Sequence, residues 1–113
     1  MKTLNILILA IIFSLKIQAQ TTVTTSTISV KGNCGECKER IENAADIKGV
    51  KNSIWSEKTH VLSVTYDSKK VSLEQIENAI AKAGHETSSQ KANDVSYKAL
   101  PSCCQYKTTD CKK

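Results

Sequence analysis

A chain of 113 residues carrying a formal charge of +5, with 40% hydrophobic and 4% aromatic residues, has room for one small globular unit and excludes a large cleft between catalytic domains. Its 16 basic residues are scattered and do not form a stripe with interleaved aromatics, so the charge reads as solvated surface and no nucleic-acid partner is expected. Five cysteines, an odd number, leave at least one thiol for pairing between chains, for a metal or for no partner.

The N-terminus has the layout of an export signal: Lys2, an apolar run from Leu4 to Leu15, a polar turn and the small residue Ala19. The run falls short of the ~20 apolar residues of a membrane span, so cleavage between Ala19 and Gln20 and a periplasmic or secreted product are expected. Loss of Lys2 and Lys16 leaves 14 basic residues against 11 acidic ones, a net +3. The expected organisation is a signal peptide at 1–19, a domain at 20–92 and a cysteine-containing tail at 93–113. Cys34, Cys37, Cys103, Cys104 and Cys111 all remain, in a compartment that permits disulfides.

After Gln20, the β-branched run "TTVTTSTISVK" predicts a strand ending at Gly32, with Ile28 and Val30 on one face. "CGECKERIENAA" predicts a helix with Cys37, Ile41, Ala44 and Ala45 along one side, stopped by Gly49. "VKNSIWSE" and "HVLSVTYD" read as two strands, the second placing Leu62, Val64 and Tyr66 on one face. "VSLEQIENAIAKAG" is the strongest helix: Ser72 and Gln75 fit a capping box, Leu73, Ile76, Ala79, Ile80 and Ala83 form an apolar face, and Gly84 is the stop. "HETSSQKAND" predicts a short polar edge strand, and the segment beyond it an appendage packed by Tyr97 and Leu100. Trp55, Leu62, Val64 and Tyr66 read as core and His60 as a turn residue.

This order, with right-handed crossovers, predicts an α+β ferredoxin-like βαββαβ arrangement: a four-stranded antiparallel sheet with two helices on one face. In that topology the turn at His60 and the turn at Gly84 and His85 emerge at the same end as Cys34 and Cys37.

Cys34 and Cys37 stand at i and i+3 across a loop-to-helix junction. Their sulfurs can converge near unpaired helix amides, which favour the thiolate over a thiol of ordinary pKa, about 8.5. Thiolate pairs bind soft metals. A C-x-x-C pair also serves thiol-disulfide oxidoreductases and short disulfides, so a redox enzyme and a disulfide-stapled interaction domain are the rival readings. The redox reading lacks a proline loop facing the cysteines, since the sole proline, Pro101, lies in the tail. Neither a convincing carboxylate pair nor a nucleophile with its base is in evidence, and the expectation is a protein that is not an enzyme.

"GNCGEC" after a strand, "GV" at Gly49 and Val50, "VLSVTYD" and "LEQIENAIAKAGH" together resemble the heavy-metal-associated domain, over residues 23 to about 90. That module occurs in copper chaperones, copper-pump N-terminal domains and the periplasmic mercury-binding protein. The resemblance implies that Cys34 and Cys37 ligate a soft ion, copper(I) first and mercury(II) or zinc(II) next. It also implies that the ion is sequestered or passed to a partner such as a membrane metal transporter or another metallochaperone. His85 falls where the family places an aromatic or a lysine that shields the site, and its imidazole is a candidate third ligand or a support behind the ligands. One departure concerns the loop. Family members carry a methionine beneath it, and here Gly32 runs through Asn33 into Cys34 as if that methionine were deleted.

The tail lies beyond the resemblance. Adjacent cysteines are awkward to join to each other, so Cys103, Cys104 and Cys111 are candidates for a second thiolate cluster, for extending the first site if the tail folds back, or for disulfides.

Overall fold

The computed structural model describes residues 22–108; the expected signal peptide and Cys111 lie outside the described residues. Strand β1 (Val23–Ser29) leads to helix α1 (Gly35–Ala45), then to β2 (Val50–Trp55), β3 (Val61–Asp67) and helix α2 (Leu73–Lys82). A short helix α3 (Asp94–Lys98) and a 3-10 turn (Ser102–Cys104) follow. None of the helices described is long and apolar enough to cross a membrane.

The fold is the α+β ferredoxin-like one. Alternation on the central strand β3 buries Leu62, Val64 and Tyr66 and leaves Ser63 exposed. β3 pairs antiparallel with β1, matching Ile28 to Leu62 and Ser26 to Val64, and with β2, matching Trp55 to Leu62 and Ser53 to Val64. The order is therefore β1-β3-β2, with β3 in the middle. Ile41 and Ala45 of α1 and Ile76 and Ile80 of α2 join Ile28, Leu62 and Val64 in one core.

Among the described residues the sheet has three strands, and the expected edge strand in "HETSSQKAND" shrinks to one bridge, Val30 to Thr87. It is flanked by bonds from Lys31 N to Glu86 O (2.9 Å) and from Ser88 N to Ser29 O (3.2 Å). Pairing stops there because Thr87 and Gln90 close a local turn. Thr87 N donates to Gln90 O (3.0 Å) and Gln90 N to Thr87 Oγ1 (3.0 Å), which diverts the chain from the ladder.

α2 is capped as expected, with Gln75 N donating to Ser72 Oγ and Ser72 N to Gln75 Oε1. At its end Gly84 takes φ +101°, Gly84 N donates to Ala81 O (3.1 Å) and His85 N to Ile80 O (3.2 Å), a Schellman closure. That closure drives His85 into the interior, where it is fully buried. Gly49 behaves differently from expectation. α1 ends earlier, capped at Asp46, and Gly49 at φ +99° opens β2, where a Cβ would sit 2.9 Å from atoms of Lys70 and Val71.

The tail packs back on the body. Leu100 and Cys104 belong to the same core as the sheet, and Tyr97 and Tyr106 lie against it. Asn93 caps α3 through its bond from Ser96 N (3.0 Å), and Asn93 N donates to Ala81 O of α2 (3.0 Å). Tyr106 meets Tyr97 edge-on at 5.1 Å; its hydroxyl accepts from Glu86 N (3.0 Å) and donates to Gly84 O (2.9 Å).

Candidate metal centre

The loop between β1 and α1 is held by its backbone from three sides. Trp55 Nε1 donates to Val30 O (3.1 Å), Val30 N donates to His60 O (2.9 Å), and His85 Nδ1 donates to Lys31 O (2.8 Å). Gly32 is required by the packing: a Cβ there would meet Cys37 Cβ and the Trp55 ring at 3.1 Å. Trp55, 1% exposed, lies beneath the loop against Gly32. His60, at φ +57°, stacks its ring on Trp55 at 5.6 Å and closes the β2–β3 turn over the same end of the sheet. The two turns expected to emerge beside the cysteines do so.

Cys34 is the N-cap of α1 in an extended conformation, and its carbonyl accepts the bond from Lys38 N (3.0 Å). The helix turns Cys37 back toward it, placing the two Sγ atoms 3.8 Å apart. Lys38 and Glu42, one turn on, secure α1 to β2: Glu42 pairs with Lys38 and accepts from Trp55 N (3.2 Å), while Lys38 Nζ donates to Trp55 O (3.1 Å).

A third thiol completes the group. The Sγ atoms of Cys34, Cys37 and Cys104 all lie within 4.8 Å of one another, and all three residues are buried. Cys104 arrives from the tail, whose position is set in part by Cys103 O, which accepts from Asn33 Nδ2 (3.2 Å) and faces Cys34 Sγ at 3.9 Å. Cys103, with Sγ 4.0 Å from that of Cys104, stands at the edge of this group. Its thiol donates to Glu36 Oε2 (3.0 Å), and Glu36, Cys103 and Cys104 form a second three-donor group at the surface. None of Cys34, Cys37, Cys103 and Cys104 is in a disulfide.

The electrostatics raise the pKa of the Cys103 and Cys104 thiols. Burial pushes the Cys104 thiol far above the usual range, and the neighbouring Cys37 and Cys103 push in the same direction. For Cys103 the hydrogen bond to the Glu36 carboxylate is the main cause of an upward shift, followed by burial. A bound cation would supply the compensating charge, so loading would release protons. Burial lowers the His85 pKa below its ordinary value and Arg40 adds to that, while the bond to Lys31 O opposes it. Burial therefore favours the neutral ring, with Nδ1 donating to Lys31 O and a buried Nε2 that meets no hydrogen-bond donor among the described residues.

Of the residues singled out by sequence, Cys34, Cys37 and Cys104 are brought to one point, Cys103 faces Glu36, and His85 lies behind the loop in neither three-donor group. Sequence reasoning overlooked Glu36, Trp55 and Tyr106. Glu36 stands inside the C-x-x-C pair and Tyr106 lies two residues beyond Cys104, whereas Trp55 reads in the sequence only as core.

Comparison with curated protein sequences finds no match. Comparison with solved structures finds CopZ metallochaperone at 32% identity (TM-score 0.55), covering 57% of this chain and 98% of that one. Oxidized MerP from Ralstonia metallidurans CH34 is 31% identical (TM-score 0.55), over 60% of this chain and 99% of that one. The N-terminal domain of the zinc(II) ATPase ZiaA in its apo form is 35% identical (TM-score 0.51), over 64% of this chain and 74% of that one. The profile of the heavy-metal-associated domain matches residues 27–86, more than half of the chain. The chain belongs to the heavy-metal-associated domain family.

Proposed function

We propose that this protein is an exported, non-catalytic carrier that holds copper(I) through Cys34 and Cys37 and sequesters it or passes it to a partner. The observation that carries the reading is the pair of buried sulfurs 3.8 Å apart on a loop pinned to Trp55, His60 and His85. Two thiolates in a preorganised loop suit a soft monovalent ion, because soft sulfur donors select copper(I). Mercury(II) and zinc(II) compete for such donors, and one of the relatives described above is a zinc(II) ATPase by name. A membrane metal transporter or a second metallochaperone is the partner this chemistry calls for, since each can present a matching thiolate pair. His85 serves as a positioning residue: it holds the Lys31 carbonyl and thereby the entry to the loop. The N-terminal segment is proposed to be removed at Ala19, leaving a periplasmic or secreted protein.

The test is anaerobic titration of the reduced mature protein with copper(I) against a competing chelator. Retention of one ion by the native protein, abolished in Cys34→Ser and Cys37→Ser, supports the reading. Turnover of a disulfide substrate by a protein that retains no ion would replace it with a thiol-disulfide oxidoreductase.

A further inference from the structure

The segment that follows the family match at residues 27–86 brings its own sulfur to the centre. We propose that Cys104 is a third thiolate ligand and that residues 94–106 are a cap that closes a three-sulfur site over the ion. This rests on the metal-binding reading above.

The spacing favours three donors over two. With metal–sulfur bonds of ~2.3 Å, two thiolates in line across an ion stand ~4.6 Å apart, whereas three in a triangle stand ~4.0 Å apart. Cys34 and Cys37 are 3.8 Å apart, and Cys104 lies within 4.8 Å of both. A buried cysteine can serve as a small apolar filler. Here, however, Sγ of Cys104 lies against the sulfurs of Cys34 and Cys37 as well as that of Cys103, in a buried site: Cys37 and Cys104 are 0% exposed and Cys34 is 9% exposed.

The cap is anchored on both sides of Cys104. Before it, Leu100 is in the core and Cys104 N donates to Pro101 O (2.8 Å); after it, the Tyr106 hydroxyl bridges Glu86 N and Gly84 O. Between these anchors Cys103 O accepts from Asn33 in the metal loop. The two adjacent sulfurs, 4.0 Å apart, thereby take different places: Cys104 is buried in the group with the pair, and Cys103 stands outside that group on Glu36. Cys103 is the built-in control.

The ligand class is a soft cation that accepts three thiolates, copper(I) or mercury(II). Structural zinc is almost always four-coordinate and would need one more donor than this group supplies. Binding as three thiolates forms three metal–sulfur bonds, and each sulfur that was protonated gives its proton to solvent. Since the pair is covered, the ion leaves only after the cap lifts, which makes this chain slower to give up its ion than an open two-cysteine loop.

The experiment uses the full mature chain, reduced without oxygen and loaded with one equivalent of copper(I), with sulfur coordination read by X-ray absorption. Three sulfurs are expected in the native protein and in Cys103→Ser, and two in Cys104→Ser. Release to a chelator is expected at least tenfold faster from Cys104→Ser than from Cys103→Ser. Mercury(II), whose thiolate absorption bands distinguish two from three sulfurs, is the second probe. The native coordination number needs no variant, so a Cys104→Ser protein that failed to fold would not shield the proposal. Two sulfurs in the native protein overturn it while leaving the parent reading intact. A third sulfur lost with Cys103, or a three-sulfur site found only in a dimer and unchanged by Cys104→Ser, also overturns it. No copper retained by the native protein overturns both.

Discussion

Cys34 and Cys37 meet because they are three residues apart at the start of a helix, so one local conformation places both sulfurs. Cys104 reaches the same point from 67 residues further along the chain, and only side-chain packing puts it there. In the loop, rigidity comes from backbone carbonyls held by Trp55 and His85. In the tail it comes from Leu100 and Cys104 in the core, from Tyr97 and Tyr106 packed against it, and from a few bonds to loop and turn backbone. The loop is therefore part of the global fold, whereas the tail is a candidate for opening by itself, because few buried apolar groups tie it down.

That contrast can be broken from either side. Leu100→Ala should have the largest effect, removing about 2–5 kcal/mol of packing, the usual range for a buried leucine. Its expected signature is faster alkylation of Cys104 with the sheet amides still protected from hydrogen exchange. Equal loss of protection throughout would show that tail and body open together. Gly32→Ala tests the loop side. Its methyl group would press on Cys37 and Trp55 at 3.1 Å, for a cost of about 1–3 kcal/mol and a lower midpoint of global unfolding in denaturant.

Smaller changes sharpen the comparison. Tyr106→Phe deletes the hydroxyl shared by Glu86 N and Gly84 O and should cost about 1 kcal/mol, seen as faster exchange of the Glu86 amide and a modest fall in Tm. The smallest effect concerns pH. The folded-state pKa of His85 is lowered from 6.5, so the unfolded chain binds the proton more readily. Its contribution to the stability of the metal-free protein is fully present above pH 6.5 and is lost as pH falls below that value toward the lowered folded pKa. Denaturant midpoints measured from pH 7.5 downward should show this decline in the native protein and a shallower one in His85→Gln.

Much of the fold was readable in the residues themselves. Alternation in "VLSVTYD" predicted the buried face of β3, and the Ser72–Gln75 box and Gly84 predicted both ends of α2 to the residue. These features are local: strand period, capping and a left-handed glycine depend on neighbours within a few positions. Gly49 was misread as the stop of α1 because a positive φ serves a strand entry as well as a helix end. The fourth strand was over-read because the turn closed by Thr87 and Gln90 competes with the ladder for the same stretch of chain.

The amino-acid sequence by itself determined the order of the first five elements, the two sulfurs at one helix end and the family to which the chain belongs. Tertiary structure alone decided that Trp55 lies under the loop, that His85 is buried on the Lys31 carbonyl, and that Cys104 rather than Cys103 turns inward. The physical reason is range. Hydrogen-bonded periodicity is written in adjacent residues, but which of two neighbouring thiols faces a site depends on how Leu100 and Tyr106 seat the tail against a body folded from distant parts of the chain.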